Sequence, residues 1–152
     1  MDALYGQKIL EAAATIPSAE RLPNPDATAT KLSRVCGSEL TLDLTLMQGV
    51  VSAYGLEAKA CALGQAAASL TVQNIIGAEP AALFTLRRQM RAMLKDSGPA
   101  PTDPRFADLG ALAAIRDYPQ RHASTLLIFE AIADCLTQLG FEDRKEAIAP
   151  RS

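Results

Sequence analysis

Hydrophobic positions along the chain change their period twice, and each change marks a change of element. From Ala3 to Ile16, the apolar residues Leu4, Ile9, Leu10 and Ala13 form one stripe of a helix, which Pro17 ends. The stretch from Pro17 to Asp26 holds three prolines and predicts an extended connector. The period then shortens to two. Leu40, Leu42, Leu44 and Leu46 alternate with Thr41, Asp43 and Thr45, the pattern of a strand with one buried face. Thr28 to Val35 predicts the strand before it, and Cys36-Gly37-Ser38 the tight connection between the two. Met47-Gln48-Gly49 marks a second turn, and Val50 to Ala60 a third strand. Turns this short require antiparallel neighbours, because parallel strands need long crossovers.

Beyond Cys61 the period lengthens again. Ala62 to Ile76 is almost wholly apolar or small and predicts a buried helix, with Gly77 as its stop. Pro80 suits the first turn of the next helix, whose inner face is Leu83, Leu86, Met90, Met93 and Leu94. Arg87, Arg88, Arg91 and Lys95 lie on the opposite side and predict a solvated basic face. A proline-rich loop from Asp96 to Arg105 leads to a short helix from Ala107 to Ile115. A longer helix from Ser124 to Leu139 ends at Gly140. Strands first and helices afterwards predict an α+β fold, a small three-stranded antiparallel sheet with helices packed on one face. Residues 1–152 are expected to form one domain, with a polar tail from Phe141 onward.

Composition narrows the function. A formal net charge of -2 argues against a nucleic-acid partner, which calls for a strong basic excess. No apolar run approaches the ~20 residues of a membrane span. The opening Met1-Asp2-Ala3-Leu4-Tyr5 has none of the basic-then-apolar order of a secretory leader, so the expected location is the cytoplasm. Thiols stay reduced there, and an odd set of cysteines (Cys36, Cys61 and Cys135) argues against a disulfide framework. Phosphate-binding glycine loops, HExxH and Gly-x-Ser-x-Gly are all missing, and no enzyme is predicted.

The thiols are the candidate chemistry. Cys61 stands where the third strand gives way to the buried helix, a place where free N–H groups and the helix dipole favour a thiolate. Cys36 follows the first strand. Strands one and three of a meander run the same way, so Cys36 and Cys61 arrive at one end of the sheet, where two thiols can share a metal. The bland alternative for Cys61 is a small buried hydrophobe. Cys135, beside Ile132, Leu136 and Leu139, predicts core filling. His122, the single histidine, precedes the last helix and is a candidate third metal ligand, against a surface or capping role.

Three segments carry a family resemblance. Arg34-Val35-Cys36-Gly37, running into an alternating strand, resembles the first ligand motif of the NifU/IscU family, Cys-Gly-Asp. Lys59-Ala60-Cys61-Ala62, leading into Gln65-Ala66-Ala67-Ala68-Ser69-Leu70, resembles the second, Gly-Cys-Ala before a small-residue helix. Ile115-Arg116-Asp117-Tyr118-Pro119-Gln120-Arg121 is similar to the approach to the third ligand. The resemblance implies a SufE/NifU-like fold and assembly of a nascent [2Fe–2S] cluster or iron. Cys36 and Cys61 would be ligands, a cysteine desulfurase the sulfur donor and apo-proteins the recipients. Some relatives hold zinc, which the resemblance allows here. The chain departs from the pattern twice. Ser38 replaces the family aspartate, and an ungapped alignment from Pro119 places Ser124 at the third cysteine and Ala123 beside it. Two thiolates then remain, and a homodimer sharing one cluster would complete the ligand count. Two other functions stand beside the scaffold: a persulfide acceptor for the desulfurase, and an interaction protein that has lost its cargo.

Overall fold

The computed structural model describes residues 20–34 and 37–143. The predicted helix over 3–16, Cys36 and the end of the polar tail (144–152) lie outside them. Strands β1 (Ala27–Ser33), β2 (Ser38–Met47) and β3 (Val50–Lys59) form an antiparallel sheet in the order β1-β2-β3, as the alternation requires. Leu40, Leu42 and Leu44 point inward and are buried. Gln48 and Gly49 both take positive φ, 55° and 83°, the two-residue hairpin geometry whose twist matches that of the strands. At the other hairpin Gly37 takes φ 72°, and its N–H donates to the Ser33 carbonyl at 2.8 Å.

Helices α1 (Ala62–Val72), α2 (Pro80–Lys95) and α3 (His122–Gln138) follow, and α3 packs along β1 and β2. Its buried residues run nearly all round the helix, from Leu126 to Phe129, Ala131 to Ala133, and Cys135 with Leu136, because sheet, α1 and α2 each cover one side. Each leucine or phenylalanine so enclosed contributes about 1.5–3 kcal/mol. The Cys135 Sγ donates to the Leu42 carbonyl at 3.6 Å, deep in this core, which agrees with its reading as packing.

Three expectations change. Helix α1 ends at Val72, before Gly77, because residues 77 and 78 pair with β3: the Gly77 N–H donates to Val51 O at 2.7 Å and the Val51 N–H to Ala78 O at 3.0 Å. The short helix expected from Ala107 is a 3₁₀ stretch, Pro104–Ile115, bent at Phe106. Its buried residues, Phe106, Leu109, Leu112 and Ile115, recur every third position, which three residues per turn place on one side. The basic side of α2 is not simply solvated. Arg91 holds Glu130 of α3 through two bonds of 2.9 and 2.8 Å, and Arg88 Nε reaches both Asp143 oxygens at 3.2 and 3.0 Å. These pairs clamp α2 to α3 and to the chain just beyond it.

On the outer side of the sheet, Asp43 is fully buried beneath residues 20–22. Its carboxylate accepts from Arg21 Nε at 2.7 Å, from the Leu22 N–H at 2.9 Å and from Thr28 Oγ1 at 2.6 Å. Gly55 makes this strap possible, since a Cβ there would stand 2.7 Å from Glu20 O and from Leu22 N. Burial pushes the Asp43 carboxyl up, but the bonds from Arg21, Thr28 and Leu22 outweigh it and hold the group below the usual carboxylate range. A group depressed in the folded state stabilises fully above its unfolded value and loses that contribution as pH falls through its folded value. Urea unfolding followed from about pH 7 to pH 3 should therefore show stability falling at the acid end, with a shallower acid slope in Asp43→Asn. At neutral pH the same variant should lose about 1–3 kcal/mol, since the strap's donors keep a weaker acceptor.

Candidate functional site

The site lies where the sheet's end meets the first turns of two helices. β3 closes at Lys59, Ala60 crosses over, and Cys61 becomes the N-cap of α1 with extended backbone (φ -65°, ψ 171°). The helix begins there because the Gln65 N–H returns to the Cys61 carbonyl at 2.9 Å, while Gln65 Nε2 holds the Ala60 carbonyl at 3.0 Å. The thiol is half-buried at the helix's positive end, and its side chain makes no cap hydrogen bond to the α1 N–H groups.

Two serines complete the surroundings. Ser38, the first residue of β2, is buried, and its Oγ accepts from the Cys61 N–H at 3.4 Å. Ser124, in the first turn of α3, is also buried and places its Oγ 3.3 Å from the Cys61 Sγ. The Ser124 hydroxyl also donates to the Arg121 carbonyl at 3.3 Å. One hydroxyl has one proton. In that arrangement the Cys61 S–H donates to Ser124 Oγ. The ungapped alignment, which put Ser124 opposite the third family ligand, thus agrees with the contact between Ser124 and Cys61.

His122 is positioned differently. It is buried, and its Nε2 lies 3.2 Å from the Ile115 carbonyl and 3.0 Å from that of Arg116. Carbonyls only accept, so Nε2 carries a proton and anchors the end of the 3₁₀ stretch to α3. That nitrogen is not offered to the thiol. Cys36 lies outside the described residues, immediately before Gly37. Among the described residues, no three His, Cys, Asp or Glu side chains converge on one point.

Cys61 and Ser124 can nevertheless serve one ion. Sulfur and oxygen donors of a tetrahedral site stand about 3.5 Å apart at ordinary bond lengths. The observed 3.3 Å is close to that spacing. Serine is a poorer ligand than thiolate unless it loses its proton, so the pair would hold an ion weakly. Both helix N-termini bring partial positive charge to the same place.

Gly64 is a residue that the hydrophobic pattern does not single out. It lies in the first turn of α1, buried, where a Cβ would stand 2.9 Å from the Ala60 Cβ and 3.2 Å from the Ser124 carbonyl oxygen. The available signal was a glycine inside a run of helix formers, where it costs about 1 kcal/mol against alanine.

No family model matches the chain. It is similar to a solved nitrogen-fixing NifU-like protein (N-terminal) from Brucella abortus, 47% identical, with TM-score 0.88, covering 91% of this chain and 96% of that one. It is 28% identical over 104 residues to the iron-sulfur cluster assembly scaffold protein IscU of Thermotoga maritima, over 68% of this chain and 72% of that protein. A solved protein from Fervidobacterium islandicum AW-1, described as a scaffold for the SUF system, shares the fold at TM-score 0.80. It is 17% identical and covers 89% of this chain and 98% of that one.

The two described thiols differ in access. Burial pushes the Cys135 thiol up to about 12, with Asp134 and Asp43 adding to the effect. Alkylation with iodoacetamide near neutral pH, read by peptide mass spectrometry, should modify Cys61 and spare Cys135 until the protein is unfolded.

Proposed function

The chain belongs to the NifU/IscU-type family, and from that premise we propose that it is an iron–sulfur cluster assembly scaffold that holds iron or a nascent [2Fe–2S] cluster as cargo. The observation that carries the reading is the Cys61–Ser124 contact at 3.3 Å, which joins two of the three segments resembling family ligand motifs. Cys61 is the principal described thiolate, and Cys36 is the second thiolate in this proposal. Ser124 takes the third corner, since the His122 Nε2 is engaged by backbone carbonyls. Ser38 holds the Cys61 backbone and lines the site. A second copy of the chain contributing its own thiols would complete a thiolate set around one cluster. The sulfur donor in this reading is a cysteine desulfurase, the recipients are apo-proteins, and the location is the cytoplasm. Among the described residues no helix is long and apolar enough to cross a membrane.

The serine corner also favours a second reading, in which Cys61 accepts sulfur as a persulfide and holds no cluster. A half-buried thiol beside a hydroxyl is accessible to a sulfur donor, and a persulfide needs no further ligands.

Anaerobic reconstitution with iron, sulfide and reductant separates the two. The scaffold reading expects visible charge-transfer absorption with bound iron and sulfide, both lost in Cys61→Ala and in Cys36→Ala. A protein that stays colourless, yet gains about 32 Da at Cys61 after incubation with a desulfurase and cysteine, would establish the acceptor reading instead.

A further inference from the structure

We propose that Gly64 is a positioning residue, which sets the spacing between Cys61 and Ser124 by letting the first turn of α3 rest directly on α1. This rests on the reading above, in which Ser124 holds a corner of the cargo site.

The argument starts from the two helices. Cys61 is bound to α1 as its N-cap, and Ser124 rides on the backbone of the first turn of α3. Nothing in the local sequence joins them: they are 63 positions apart and meet only because the two helices pack. Part of that packing is backbone against backbone. At Gly64 a Cβ would come within 3.2 Å of the Ser124 carbonyl oxygen and 3.7 Å of its carbonyl carbon. The residue that Gly64 touches is thus the residue whose hydroxyl reaches Cys61. Its one side-chain tie to α1 is the contact with the Cys61 thiol, which shares the hydroxyl with Arg121 O and does not place the Ser124 backbone. The seat on Gly64 supplies that constraint.

A methyl group at this position has two neighbours to displace. Ala60 Cβ, at 2.9 Å, lies on the crossover from β3, and the Ser124 carbonyl lies on α3. Moving the second carries the Ser124 side chain away from the thiol. Donor pairs tolerate little such movement, and misplacing groups that support a metal ligand commonly costs about 10–100-fold in affinity.

The test converts the corner into a stronger reporter. In Ser124→Cys, Cd²⁺ titration against a competing chelator, read by thiolate charge-transfer absorption, should show affinity about tenfold above the parent. Adding Gly64→Ala should remove most of that gain while far-UV circular dichroism and cooperative melting are retained. A third variant, Ala60→Gly with Gly64→Ala and Ser124→Cys, relieves the nearer contact and leaves only the one with Ser124. It should remain weak, and it carries the comparison if the double variant does not fold. Full affinity in Gly64→Ala/Ser124→Cys, or its recovery in the triple variant, would overturn the role of Gly64 and leave the site reading intact. No gain in Ser124→Cys itself would overturn the assignment of Ser124 to the cargo site, and the positioning role with it.

Discussion

Helix α3 has no side that it can leave to water without cost, and the rest of the molecule is arranged around that constraint. Its apolar residues are met by β1 and β2, by α1 and by α2. The sheet is short and, among the described residues, has helices on one side, so α3 is the layer that turns a three-stranded meander into a core. Where α3 carries acidic charge, Glu130 binds Arg91 and Arg87 of α2, and Asp134 binds Lys31 of β1 at 3.1 Å. Packing and ion pairing therefore act at the same interface, and both fix how far α3 can slide.

Because the site takes Ser124 from α3 and Cys61 from the start of α1, its geometry derives from core packing more than from any local motif. The Cys61 backbone is held by the Gln65 N–H at its carbonyl and by Ser38 Oγ at its N–H, and its thiol meets the Ser124 hydroxyl. Hydroxyls in place of further sulfur or carboxylate donors lower the charge that the protein offers its cargo. Two helix N-termini raise the local potential in compensation. In the proposed scaffold reading, such a place suits soft sulfur ligands better than a hard, permanent ion.

Much of this was legible in the sequence. The leucine alternation from Leu40 to Leu46 specified β2 and its buried face, and the short turns around it dictated the antiparallel order. Cys61 at a strand-to-helix junction, and Ser124 opposite a family ligand, could be read because each depends on local order plus register. What could not be read depends on distant partners. The arginines of α2 looked solvated because Glu130 is some forty positions away and Asp143 lies further still. The early end of α1 follows from pairing with Val51, a contact no helix propensity encodes. A period of three in Pro104–Ile115 is easily taken for the 3.6 of an α-helix over so short a span. His122 has the chemistry of a ligand, but the carbonyls that occupy its Nε2 belong to a turn whose path is decided by tertiary packing.

The long sequence separation between Cys61 and Ser124 has a consequence for the timing of synthesis. Strands, hairpins and α1 can form from contacts made early, but the sheet's buried face stays uncovered until α3 arrives, and α3 is the last described helix to emerge from the ribosome. Cys61 is therefore translated long before the hydroxyl that accompanies it. A nascent chain presents a bare thiol on an unfinished core, and the paired donor geometry comes into being only on completion of the fold. Any chemistry that depends on that geometry is thereby restricted to molecules that have folded.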